Sequence, residues 1–345
     1  MTALRALAGD DPAIRIDVHL AHGPERRLAE DALDGLTRPF KEIPPKHFYD
    51  SRGSALFDAI CELPEYYPTR TELAILDAGA EEIAAATRAR ELVELGSGST
   101  AKARRLLDAM RSAGGPDGLR YIPVDVSERV VREAASTLVE DYPGLAVHGV
   151  VGDFERHLRR LPAPGDGARL VALLGGTIGN FTPGSRRRLL RDIAALLGPE
   201  DHLVLGTDLV KDPDIIEAAY NDRAGITAEF NRNVLHVMNR ELGADFEPEA
   251  FEHVAFFDRE HEWIEMRLRA RRAMRVHVAD LDLDVGFEAR EELRTEISAK
   301  FTRRRLARDF AAAGLELRAW HTDPAGWFAV SVAGPAPMRV EARDR

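Results

Sequence analysis

Three carboxylates follow three short apolar runs in this chain, and a pair of glycines lies just after the first. Glu94 precedes Gly96-Ser97-Gly98-Ser99-Thr100-Ala101, Asp125 ends Tyr121-Ile122-Pro123-Val124, and Asp153 lies in Val150-Val151-Gly152-Asp153-Phe154. Glycine has no Cβ, so backbone at Gly96 and Gly98 can approach a ligand closely. A strand, glycine loop and helix at the edge of a parallel sheet is where α/β proteins hold nucleotide-like cofactors. The loop matches the dinucleotide fingerprint only if Ala101 replaces the third glycine. Glu94 at the strand's end could reach a cationic or hydroxyl-bearing ligand. Asp125 can accept both hydroxyls of a ribose, and Asp153 with Phe154 offers an acceptor and an aromatic where an adenine would lie. Taken singly, Asp125 and Asp153 also suit turn or N-cap positions.

A fourth run, Leu170–Leu174, ends in Gly175-Gly176-Thr177-Ile178-Gly179-Asn180. Ligands of open parallel sheets sit beyond the carboxyl ends of the strands, so this loop should face the same site. Asn180 carries donors and an acceptor for the amine and carboxylate of an amino acid. It would equally close an Asx turn ahead of Pro183.

The elements that must position these residues are legible as alternating patterns. Apolar runs at Leu92–Leu95, Leu119–Asp125, Ala146–Val150, Leu170–Leu174 and Leu203–Thr207 predict strands, separated by helical patterns at Ala101–Arg111, Arg129–Glu140 and Arg186–Leu197. Such alternation implies βαβ units and a parallel sheet covered on both faces. Upstream, Pro68 opens a helix through about Thr87, with Thr69 and Glu72 at capping-box spacing. Downstream, the sequence predicts one long helix over Ile215–Arg240, strands around Glu262–Arg269 and Met274–Leu283, and a final hairpin, Leu315–His321 with Trp327–Ala333. Two domains are expected: residues 70–210 with 301–335 for the cofactor, and 10–69 with 211–300 for the substrate.

A length of 345 residues supports a large core, and 45% hydrophobic with 30% charged residues is ordinary for a soluble protein. A net charge of −11 argues against holding nucleic acid by phosphate neutralisation. The runs Arg186-Arg187-Arg188 and Arg303-Arg304-Arg305 are expected to be solvated helix faces. The lone Cys61 fits a reducing compartment and a small core position. No stretch of 18 apolar residues occurs, so a cytoplasmic protein with no membrane partner is expected. There is no P-loop, no nucleophile elbow and no Cys/His ligand spacing, so no metal is expected.

Acids after three successive strands, with only two glycines, resemble the S-adenosylmethionine site of Rossmann-like methyltransferases. The resemblance sharpens over about Leu36 to Val332, on Pro45-Lys46-His47-Phe48-Tyr49-Asp50, Leu63-Pro64-Glu65-Tyr66-Tyr67-Pro68-Thr69-Arg70-Thr71-Glu72, LLGGTIGN, Gly206–Asp212, TAEFNRNVLHVMNREL, Ile264-Glu265-Met266 and Thr295–Phe301. In these motifs the chain resembles the histidine Nα-methyltransferases of ergothioneine biosynthesis. That resemblance implies an α/β fold: a class I methyltransferase sheet ending in antiparallel strands, plus a smaller α+β domain. It implies S-adenosylmethionine as cofactor and L-histidine as a small-molecule substrate, trimethylated at its α-amine to hercynine by a monomer. Gly96, Lys102, Asp125, Asp153 and Phe154 would line the cofactor site. Tyr49, Asn180 and Tyr220 would hold the amine and carboxylate, with Tyr49 and Asn180 nearest the chemistry. Tyr66 and Thr177 would border the pocket, and Glu296 and Ser298 would take the imidazole nitrogens beside Met266. Glu296 and Ser298 are two apart, so on a strand they share a face.

Three rival readings stay open at this point. The glycine loop alone also suits an NAD(P)-dependent oxidoreductase, the fold could serve a non-catalytic binding protein, and a methyltransferase could act on another amino acid or amine.

Overall fold

In the computed structural model, which describes residues 13–20, 24–114 and 118–337, the chain begins with β1 (Ile14–Val18), α1 (Pro24–Leu36) and the two-residue β2 (Lys41–Glu42). A 3-10 turn, Pro45–Phe48, leads into α2 (Ser51–Cys61) and α3 (Tyr67–Thr87). The predicted alternation follows as β3 (Ala89–Leu95), α4 (Ala101–Gly114), β4 (Arg120–Asp125), α5 (Glu128–Asp141), β5 (Ala146–Val151), α6 (Phe154–His157), β6 (Ala168–Leu173), α7 (Pro183–Ala194) and β7 (His202–Asp208). Next come α8 (Pro213–Tyr220), α9 (Ile226–Leu242), β8 (Phe251–Asp258), β9 (Trp263–Ala270), β10 (Met274–Val278), β11 (Leu283–Phe287) and β12 (Glu292–Ala299). The chain returns through α10 (Arg303–Ala312) to β13 (Leu315–Thr322) and β14 (Phe328–Pro335).

The large sheet has the order β1-β5-β4-β3-β6-β7-β14-β13. Its first six strands are parallel, and β14 pairs antiparallel with both β7 and β13. Strand residues alternate between two cores, as period two requires. Leu92, Tyr121 and Leu170 enter the core under α3, α4 and α5, while Val93, Ile122 and Val171 enter the core under α7 and α10. The order reverses between β3 and β6, which opens a crevice at their carboxyl ends. A separate core gathers Leu28, Tyr67, Phe230, Ile264 and Leu293 around the four-stranded sheet β2-β12-β9-β8.

Several expectations need correction. The first strand, Ile14–Val18, pairs with β5 in the large sheet, so this part of 10–69 does not pack with the smaller unit. Residues 10–12 lie outside the described residues. The expected helix over 215–240 is two helices, because Asp222 accepts from the Ile226 and Thr227 amides and restarts the helix there. The expected strand over 274–283 is a hairpin, β10 with β11, and β8 was not foreseen. Arg186 does not face solvent: it is 2% exposed, with Nε 2.8 Å from Asp309 on α10. Cys61 is half-buried beside the Thr69 hydroxyl, not in a core.

Candidate active site

The loop after β3 is held by its neighbour strand: the Gly96 and Ser97 amides both donate to the Val124 carbonyl on β4. Gly96 and Gly98 have φ of 77° and 42°, a region that favours glycine, and only the Phe154 ring lies within 4 Å of a Cβ built on Gly96. Asp125 accepts from the Ser127 amide at 2.9 Å and lies 3.5 Å from the Gly98 amide. Burial raises its pKa against those hydrogen bonds. Asp153 caps α6 through one oxygen, accepting from the Glu155 amide at 2.9 Å. Its other oxygen is buried without a hydrogen-bond partner, 3.5 Å from the Lys46 ammonium. The Ser97 hydroxyl is likewise buried and unpartnered. Glu94 does not point freely into solvent; it accepts from the Tyr121 hydroxyl, and burial pushes its pKa up to about 8.

Across the crevice, α3 supplies an unexpected anchor. The capping-box reading of Thr69 and Glu72 fails, since α3 starts at Tyr67 with no side-chain cap. Glu72 instead points inward at 0% exposure, accepting from the Gly175 amide at 2.9 Å and pairing with Lys102 at 2.6 Å. One carboxylate thus fixes both the first turn of α4 and the loop after β6. Replacing Glu72 with alanine leaves Lys102 unpaired and the Gly175 amide unsatisfied. The expected loss is about 3–5 kcal/mol of stability by urea unfolding. A loss below about 1 kcal/mol would show that the two loops hold their own geometry.

The substrate-side residues come from six segments of the chain. Tyr49 follows the Pro45–Phe48 turn, which Asn233 on α9 clamps by donating to the Phe48 carbonyl and the Asp50 carboxylate. Tyr49 packs edge-on against Phe57 and Phe230, and Tyr66 against Phe57 and Tyr220. Thr177 donates to the Leu174 carbonyl, closing the turn that ends at Asn180. The Asn180 amide makes no hydrogen bond to another described residue, so it is not spent on an Asx turn. That turn is pressed onto β12: a Cβ on Gly179 would lie 2.9 Å from the Ala299 carbonyl oxygen, and only glycine permits the approach.

On β12 a bulge between Arg294 and Glu296 adds one residue against β9. Thr295 turns inward, donating to Asn231 and to the Met266 carbonyl, while Glu296 sits directly opposite Met266. Bulges commonly re-aim side chains next to sites in this way. The Glu296 carboxylate has no hydrogen-bond partner among the described residues, and burial raises its pKa to about 7 despite the attraction of Lys300.

One cavity of about 1220 Å³ joins the two sides. Gly96, Lys102, Asp125, Asp153, Phe154, Tyr49, Tyr66, Thr177, Asn180, Tyr220, Met266, Glu296 and Ser298 all line it. So do Glu94, at the strand end where the sequence places it, and Phe181 and Asp208, which the sequence did not single out as binding residues. The donor set fits a sulfonium nucleoside. Unpartnered acceptors face the cavity, and no group of three His, Cys, Asp or Glu side chains among the described residues could hold a metal.

The sequence profile of the S-adenosylmethionine-dependent, histidine-specific methyltransferases matches residues 28–335. This chain belongs to that family. It is 53% identical over 307 residues to a histidine N-alpha-methyltransferase of Mycolicibacterium smegmatis, spanning 89% of this chain and 94% of that protein. It is 50% identical over 306 residues to a protein of the same name from Mycobacterium tuberculosis, with the same coverage. Ergothioneine biosynthesis protein 1 of Neurospora crassa is 34% identical over 206 residues, 59% of this chain but 23% of that one. As a member of the family, this chain is an S-adenosylmethionine-dependent methyltransferase with a Rossmann-like sheet, and the oxidoreductase reading falls away. Among the described residues no helix is long and apolar enough to cross a membrane.

Proposed function

We propose that this protein transfers three methyl groups from S-adenosylmethionine to the α-amine of L-histidine, giving hercynine for ergothioneine biosynthesis. The observation that carries the proposal is the shared cavity. It connects acids at the ends of β3, β4 and β5 to an unpartnered carboxylate, Glu296, and the Ser298 hydroxyl on one face of β12. Strong identity to histidine N-alpha-methyltransferases over nearly the whole chain supports it.

When bound, S-adenosylmethionine supplies a methyl group already activated by its sulfonium. Asp125 and Asp153 would hold its ribose and adenine, with Phe154 against the base and Lys102 near the methionine end. The protein's main task is then alignment, which contributes on the order of 7 kcal/mol or more in well-oriented reactions. Asn180 would fix the substrate carboxylate, with the Tyr220 ring beside it and its hydroxyl already given to Ser298, and Tyr49 would orient the attacking nitrogen, which must be neutral. An α-amine has a reference pKa of roughly 8 and loses its proton readily beside a cation. After each transfer the nitrogen has fewer N–H groups and more positive surface. The faces of Tyr49 and Tyr66 suit that change, since a methylated cation over an aromatic ring gains about 0.5–2 kcal/mol. The smaller unit, 24–69 with 211–300, would bind substrate and the large sheet the cofactor. In this reading the working unit is a monomer in the cytoplasm.

Incubating the protein with S-adenosylmethionine and a panel of amino acids, read by mass, should give gains of one, two and three methyl groups on histidine. Amino acids without an imidazole should stay unmodified over the same period. Equal methylation of phenylalanine or leucine would remove the imidazole from the proposal, and an unmodified histidine would end it.

A further inference from the structure

Lys300 is the next residue on the Glu296–Ser298 face, and its side chain is 0% exposed. An ammonium group has three N–H donors and no acceptor. All three have partners here. Nζ lies 2.8 Å from Asp208 Oδ2, 3.1 Å from the Tyr220 hydroxyl and 3.0 Å from Ser298 Oγ. The Tyr220 hydroxyl in turn lies 3.0 Å from Ser298 Oγ and donates to it. Asp208 outweighs the cost of burying the ammonium, so Lys300 stays charged and its role as donor is not negotiable.

We infer that Lys300 is a positioning residue that fixes the direction of the Ser298 hydroxyl and so selects a neutral imidazole. Ser298 Oγ accepts from Lys300 and from Tyr220, which occupies both of its lone pairs. Its O–H alone remains, and the residue lines the cavity. Ser298 is therefore a donor toward the substrate and has nothing to offer a second N–H. Glu296 is the opposite, an acceptor with no protein donor. A ring with one N–H and one bare nitrogen satisfies both; an imidazolium, with two N–H groups, leaves Ser298 facing a donor. Without Lys300, Ser298 Oγ regains a lone pair that can accept from a second N–H, and this discrimination would be lost. The inference rests on the proposed histidine substrate and adds the tautomer and charge state that the site accepts.

Lys300→Met removes the donor at similar length, while Asp208 keeps Lys211 and the Tyr67 hydroxyl as partners. Histidine KM should rise at least 10-fold, with kcat at saturating histidine within about threefold and S-adenosylhomocysteine affinity unchanged. In a Ser298→Ala background the same substitution should change histidine KM less than twofold. Equal losses in the two backgrounds would mean that Lys300 acts only on stability and would overturn the inference. A second measurement needs no variant. The wild-type protein should bind pyrrolylalanines, which keep a ring N–H but lack the bare nitrogen, at least 10-fold more weakly than histidine. Equal affinity would also overturn it. If the wild-type protein does not methylate histidine at all, the proposed function fails instead, which separates the two outcomes.

Discussion

Asp208→Ala should lower the unfolding free energy by about 3–5 kcal/mol near neutral pH, the range expected when one partner of a buried ion pair is removed. Asp208 ends β7 at 4% exposure and is the anion for two buried ammonium groups, Lys300 from the end of β12 and Lys211 from the segment before α8. The Tyr67 hydroxyl at the start of α3 also donates to it, at 2.8 Å. Removing the carboxylate leaves two cations that have no second ion-pair partner among the described residues. The pH dependence follows from the direction of the shift. Burial alone would raise the pKa of Asp208, but the two lysines outweigh it and lower it. Its stabilising contribution is thus fully present above the ordinary carboxylate range and is lost as pH falls through the folded value. Urea unfolding of wild type and variant should show a gap that is widest near neutrality and narrows in acid. Adding Lys300→Met to Asp208→Ala should recover part of the loss, because one of the stranded cations is gone. A gap below about 1 kcal/mol, or one independent of pH, would mean that water reaches the network.

The same network shows where the sequence stops being informative. Gly206–Asp212 and Thr295–Phe301 were recognisable as motifs, yet nothing in either string says that Asp208 and Lys300 meet. That pairing is decided by the docking of the four-stranded sheet onto the large one. Local signals were outcompeted in the same way at Glu72. Its spacing from Thr69 suits a cap worth about 1 kcal/mol, but two tertiary partners, Lys102 and the Gly175 amide, draw it inward. Arg186 looks like its neighbours in a basic run, and only the rotation of α7 against α10 sends it to Asp309. By contrast, the strand, glycine loop and helix around Gly96 were legible because each residue's role there is local: backbone conformation, strand pairing and a helix start. Glu296 and Ser298 fall between these cases. Their shared face is local, but the bulge that presents them and the emptiness around Glu296 are not.

Glu296→Ala should reduce kcat/KM for histidine by roughly 10- to 150-fold, the 1.5–3 kcal/mol typical of a hydrogen bond to a charged group. S-adenosylhomocysteine binding should not change, because the cofactor-side acids lie at the ends of β3, β4 and β5. The same carboxylate has a cost in the absence of substrate that an isosteric change can expose. Its pKa rises from 4.5 to about 7 because burial disfavours the charge. Between those values the folded chain keeps a proton that the unfolded chain has released, so stability falls as pH rises through this window. Above about pH 7 the cost is fully present. The whole shift corresponds to about 3 kcal/mol, and water entering the open cavity reduces it to about 1–2 kcal/mol. Glu296→Gln should therefore match wild type in urea below about pH 4.5 and exceed it by that amount above neutrality, while binding histidine more weakly. A carboxylate kept solely for structure would show the reverse: loss of stability on substitution and no change in histidine KM. Higher stability with weaker binding is the signature of a charge held ready for an N–H that only the substrate brings.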